Sequence, residues 1–165
     1  MKIRSSSSTN KKVVVQLMDQ KAVKGYLNPS ELGDNSTISL LTTEGEHKQM
    51  ALDSVKCVYF VREFREPFEL ERKAFLSRPK LDGLWVRLKF RDQDEMEGIV
   101  ANDLLELLNT GVQLTPPDLH GNSLRMFIPR TALSELRVLG VVGLARRSAK
   151  AAKPTETGQA ELFRE

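Results

Sequence analysis

The sequence predicts a mainly β protein: two tandem five-stranded small barrels, a short connector between them, and disordered tails. Two observations carry this. The stretch Val13–Gly25 comes back as Val86–Gly98: Asp19 and Gln20 return as Asp92 and Gln93, Gly25 as Gly98, and Val13, Val15, Leu17 and Val23 as Val86, Leu88, Phe90 and Met96. Around both copies, apolar residues alternate with polar ones in short runs that end in turn residues, the signature of half-buried strands.

Residues 1–11 form a basic arm with a serine run and almost no apolar content, and are expected to be disordered. The first unit is expected over 12–64. Val13, Val15 and Leu17 define its first strand, and Asp19, Gln20 and Lys21 a tight hairpin into Ala22–Leu27. Gly25 lies inside that second strand, where glycine weakens pairing unless the backbone must bend or approach another closely. Its return as Gly98 supports such a need, and small barrels bend their strands at glycine. Pro29, Gly33 and Asp34 mark a loop. Strands then follow over Ser36–Thr42, His47–Leu52 and Val55–Arg62, the last of these the most β-prone run in the chain.

The connector, 65–82, is too apolar for a free linker, because Phe68 and Phe75, with Phe64 just before it, must pack on one unit or on both. Pro67 and Pro79 confine any helix to about Phe68–Leu76. The second unit is expected over 83–140, with strands at Trp85–Arg91, Glu95–Ala101, Val112–Thr115, Leu124–Pro129 and Ser134–Leu139. Asp103 is placed to cap a helical turn over Leu104–Leu108. Residues 141–165 read as a flexible tail.

The net charge of +3 divides unevenly. Met1–Lys12 carries four basic residues and no acid, 141–165 carries a net +2, and the middle of the chain is mildly acidic. Any electrostatic pull on nucleic acid therefore belongs to the arms, through Lys11, Lys12, Arg146 and Arg147. No apolar run reaches the ~20 residues of a spanning helix. The polar start lacks the apolar core of a secretory signal, and the single cysteine, Cys57, has no partner for an internal disulfide. The expected compartment is the cytoplasm.

These residues resemble an uncharacterised bacterial family. The likeness rests on Lys24-Gly25-Tyr26, on Lys56 to Phe64, on Leu114-Thr115-Pro116-Pro117-Asp118 and on Asn122 to Ile128. More broadly the units resemble the Sm-like small barrel. Gly25-Tyr26-Leu27 matches its Gly-x-Leu, Asn35 stands ten residues beyond Gly25, and Val61-Arg62 sits where Arg-Gly is found, with Glu63 replacing the glycine. The second copy has Gly98-Ile99-Val100, with Leu108 at the asparagine position. The resemblance implies the fold and, through Asn35 and Arg62, a base-binding pocket.

The chemistry-bearing residues point away from catalysis. His47 and His120 stand far apart, Cys57 lies in an apolar strand, and no glycine-rich phosphate loop occurs. Asp92 to Glu95 reads as the solvated tip of a hairpin rather than a metal loop, whose ligands must converge. Arg87, Lys89 and Arg91 alternate with apolar residues as the wet face of a strand. The expectation is a non-catalytic binding or scaffolding module without metal or cofactor. A protein is its first expected partner, nucleic acid held by the tails is the alternative, and no membrane is involved. The sequence leaves the oligomeric state open.

Overall fold

The computed structural model describes residues 9–33, 35–70, 72–107 and 110–143. Five strands precede the connector: β1 (Lys11–Leu17), β2 (Ala22–Leu27), β3 (Thr37–Thr42), β4 (His47–Ala51) and β5 (Val55–Val61). Five follow it: β6 (Gly83–Phe90), β7 (Glu95–Val100), β8 (Gly111–Leu114), β9 (Ser123–Pro129) and β10 (Leu133–Val142). A single helical turn, α1 (Leu104–Leu107), precedes β8; Asp103 Oδ1 accepts from the Leu105 N–H at 2.9 Å, the cap read from the sequence.

The protein is mainly β, but among the described residues its strands do not close into two barrels. They form a seven-stranded sheet in the order β4-β3-β2-β1-β5-β9-β8 and a three-stranded sheet in the order β10-β6-β7. The reason lies at β5. Its outer edge pairs with β9, so the first half cannot close on itself and the second half gives up two strands. β8 keeps one link to β7, a bridge between Ile99 and Thr115.

All seven residues of β5 are buried, because both of its faces are covered. Val55, Val58 and Phe60 share a core with Val13, Val15, Leu27, Ile38 and Leu40. Cys57, Tyr59 and Val61 point the other way, with Val14, into a second core around Val86, Leu88, Phe90, Met126 and Ile128. Phe127 of β9 pairs with Val58 and sits in the first core. Each large apolar side chain buried here contributes about 1.5–3 kcal/mol. The junction of the halves is therefore buried core on both faces of β5.

The two hairpins named from the repeat have one hydrogen-bond pattern. The Leu17 carbonyl accepts from the Gln20 N–H at 3.0 Å, and the Phe90 carbonyl from the Gln93 N–H at 3.0 Å. Asp19 Oδ1 accepts from the Lys21 N–H and Asp92 Oδ1 from the Asp94 N–H, both at 3.1 Å. Gln20 and Gln93 are left-handed, at φ 71° and 73°, as the last loop residue of such hairpins must be. The glycines have a common reason too. A Cβ at Gly25 would overlap the Leu41 carbonyl oxygen and the Leu40 side chain, and one at Gly98 would overlap the Leu114 side chain.

The connector departs from expectation. Its described residues contain no helix. The Glu97 N–H donates to the Lys73 carbonyl at 2.6 Å, and the Phe75 N–H donates to Glu97 Oε2 at 3.0 Å. Backbone groups that a helix would use internally are thus spent on β7. Phe64 meets Tyr26 at 5.7 Å, Phe68 meets Tyr59 at 4.7 Å and Phe75 meets Trp85 at 6.3 Å, so the strap touches both halves. At the ends, β1 takes in Lys11 and β10 runs on to Val142, each past the boundary read from the sequence. The rest of the expected arm and tail, 1–8 and 144–165, lies outside the described residues.

Candidate functional site

Five positions in the described residues are buried yet polar: Thr42, Lys56, Glu97, Asn122 and Ser123. Two of them are charged, and both are at places where separate parts of the chain meet. Lys56 sits on β5 with its side chain 4% exposed. Its ammonium donates to Asp92 Oδ2 at 2.7 Å and to Asp94 Oδ2 at 3.1 Å, both on the β6–β7 hairpin, and lies 4.9 Å from the centre of the Phe90 ring. Lys73 of the connector reaches Asp94 Oδ1 at 2.8 Å, and Gln20 of the first hairpin donates to Asp92 Oδ2 at 3.0 Å. Hairpin, hairpin, strand and connector thus meet around one lysine.

The electrostatics follow from this packing. Burial pulls the Lys56 ammonium down, but its hydrogen bonds and the charges of Asp92 and Asp94 outweigh burial and raise its pKa. Burial pushes both aspartates up. The bonds from Lys56, the Asp94 N–H and Gln20 overcome this at Asp92, as those from Lys73 and Lys56 do at Asp94, and both fall below the ordinary carboxylate value. The acidic hairpin read as solvated is therefore occupied by a cation of the chain's own. Among the described residues no group of three or more His, Cys, Asp and Glu is arranged to hold a metal ion.

Glu97 is the second such point. It accepts from the Phe75 N–H at 3.0 Å, Trp85 Nε1 at 3.2 Å and an Arg87 Nη at 3.1 Å. Burial raises its pKa, and these bonds with the Arg87 charge overcome burial and lower it. Counted from Gly25 and Gly98, the matching residue in the first half is Lys24. It grips the other end of the connector, through the Arg65 carbonyl at 2.9 Å and the Glu66 carboxylate. Asn122 ties the strap's start to the second half: its Oδ1 accepts from the Glu63 N–H and its Nδ2 donates to the Glu63 carbonyl.

The structure does not bring the sequence-derived nucleic-acid residues together. Asn35 is exposed just before β3. Arg62 is exposed just after β5, where its Nε donates to the Gly121 carbonyl at 3.4 Å. Arg62 continues β5 and Asn35 precedes β3, and β1 and β2 stand between those two strands. Three strand spacings, about 14 Å, separate β5 from β3 across the sheet. The turn after β4, at the Asn35 end, holds Leu52, Asp53 and Ser54 and no arginine. Lys11 and Lys12 are exposed on β1 opposite Leu27 and Tyr26, and Lys12 lies 5.9 Å from the Phe64 ring. Arg146 and Arg147 lie outside the described residues.

Other expected residues have structural surroundings. Cys57 is fully buried, and burial pushes its thiol far up, against a nucleophilic thiolate. The wet face expected at Arg87 and Lys89 exists, and β10 extends it with Glu135 opposite Lys89 and Arg137 opposite Arg87. Beside it, Leu107, Val112, Leu133 and Leu136 line an open groove of about 280 Å³. The Lys56 cluster was missed from sequence, although it left a signal: one lysine inside the apolar run Val55–Val61 has to find acids when the run is buried.

A protein-family model described as "Family of unknown function (DUF6982)" matches residues 9–140. The chain belongs to this family. No curated protein and no solved structure matches it. The DUF6982 match starts two residues before β1 and ends inside β10, so it takes in both hairpins, the connector and the Lys56 cluster. Among the described residues no helix is long and apolar enough to cross a membrane.

Proposed function

We propose that this DUF6982 chain is a non-catalytic binding or scaffolding module, made of two copies of one Sm-like unit fixed as a rigid pair. One observation carries the reading: the buried charges, Lys56 and Glu97, hold the two halves and the connector to one another. Polar chemistry is costly to bury, and here it goes into fixing geometry. The idea of two copies draws support from strand order. The first half runs β5-β1-β2-β3-β4, and the second runs β10-β6-β7-β8-β9 once the Ile99–Thr115 bridge is counted. A rigid pair serves to present surfaces at a fixed distance and angle, which is the task of a scaffold.

The expected partner is a protein, and nucleic acid held by the basic ends is the alternative. Exposed Lys11 and Lys12 favour the second reading to the extent that they extend the basic start of the chain. Capture from native lysate, with and without nuclease, separates the two. The scaffold reading expects protein partners that survive nuclease and survive Lys11→Gln, Lys12→Gln, Arg146→Gln and Arg147→Gln. Retention of nucleic acid that falls steeply with salt and disappears in that variant contradicts it.

A further inference from the structure

The two ends of the strand order differ in how they are finished. β4 presents His47, Lys48 and Gln49, all exposed, and lysine on an edge strand opposes further pairing. β10 is ten residues long, pairs with β6 alone among the described residues, and leaves Val138 49% and Val141 46% exposed. Its counterpart in the first half shows what such an edge takes. Leu136 pairs with Leu88 as Val58 pairs with Val15, which makes β10 the equivalent of β5. β5 is covered by an antiparallel strand, β9.

We propose that β10 pairs antiparallel with β10 of a second copy, about a two-fold axis at Leu136. In that register Leu136 meets its own copy beside the apolar groove, and Arg137 of each chain faces Glu135 of the other. Both charges are on the outer face, where an Arg137 Nη lies 2.6 Å from Glu135 Oε1 of its own chain, so the cross-axis pairs would join two such pairs into one four-charge network. A two-fold contact must be self-complementary, and this one is, twice over. The three-stranded sheet β10-β6-β7 becomes six-stranded, and its charged outer face continues across the axis.

The competing arrangement repeats the internal seam between copies, β10 on β4. Lys48 pairs with Leu40 as Met126 pairs with Leu114, and Met126 pairs with Tyr59, whose equivalent on β10 is Arg137. That contact sets Arg137 opposite Lys48, and like charges directly opposed destabilise a strand pair. The seam therefore does not propagate, and β10 is left for its own copy.

Sedimentation equilibrium of the full chain tests the dimer. Wild type is expected to reach twice the chain mass and no more. Arg137→Glu and Glu135→Arg each set like charges across the axis and weaken association roughly tenfold or more. Mixed one to one, the two variants restore every opposite-charge pair, and a mixed dimer is expected where each variant alone is monomeric. Circular dichroism of each variant reports that it folds. A wild type monomeric at all concentrations, species larger than a dimer, or a mixture no tighter than its components overturns the proposal. The inference goes beyond the scaffold reading: a monomer that still binds a protein partner overturns the dimer and leaves that reading standing.

Discussion

The hairpins at Leu17–Lys21 and Phe90–Asp94 share a backbone and differ in what their acids touch. Both have the aspartate turn and the left-handed glutamine. In the first, Asp19 is 56% exposed and finds Lys21 of its own loop at 3.7 Å. In the second, an aspartate stands where the first has Lys21, and the pair Asp92 and Asp94 closes on buried Lys56. One local motif thus lends a single glutamine, Gln20, to the Lys56 cluster in one half and supplies both of its acids in the other. The backbone is set by residues that repeat, the lock on Lys56 by one residue that does not.

The largest effect should come from removing the lock's charges. Asp92→Asn with Asp94→Asn keeps the side-chain acceptors and strands a buried ammonium, at a cost of about 3–5 kcal/mol in urea unfolding. Asp19→Asn in the exposed hairpin should cost at most about 0.5 kcal/mol. Equal losses would break the comparison. The pH dependence has a definite sign. Asp92, Asp94 and Glu97 have lowered pKa values when folded, so their stabilisation is present above about pH 4 and is lost as pH falls through their folded values. Lys56 is raised, so its share is present below about pH 10.5 and is lost as pH rises through its folded value. The double variant should flatten the acid limb, as urea melts across that range would record.

The glycines offer a smaller contrast. Gly25→Ala pushes its new methyl into the Leu41 carbonyl, which is backbone, whereas Gly98→Ala pushes into the Leu114 side chain. Both should lose about 1–3 kcal/mol, with Gly25→Ala the worse. The reverse order, read from the same melts, would place the tighter approach in the second half. Smallest of all are Gln20→Gly and Gln93→Gly, which relieve a left-handed side chain and should gain up to about 1 kcal/mol. Gln20→Gly should gain less, because it forfeits the bond to Asp92.

Much of the fold was legible in sequence because strand patterns are local. Val13, Val15 and Leu17 alternate, Asp19 and Gln20 turn, and the repeat fixes where to look again. The seam was not legible from alternation, because β9 reaches β5 across the whole connector. One sign was present: Val55–Val61 does not alternate, and a continuous apolar run belongs to a strand covered on both faces. The pairing of Asn35 with Arg62 was read from spacing alone, and spacing does not fix how many strands stand between two residues. Glu97 and Lys24 escaped notice because a charge inside a strand reads as its wet face until the connector lies across it.

The rigid pair itself can be measured directly. Backbone ¹⁵N relaxation gives a rotational correlation time for β1–β5 and another for β6–β10. One shared value, with the ordered connector following it, is the result expected if β9 on β5 and Asp92 and Asp94 on Lys56 fix the halves together. Two separate values, each that of a body half the size, would contradict it.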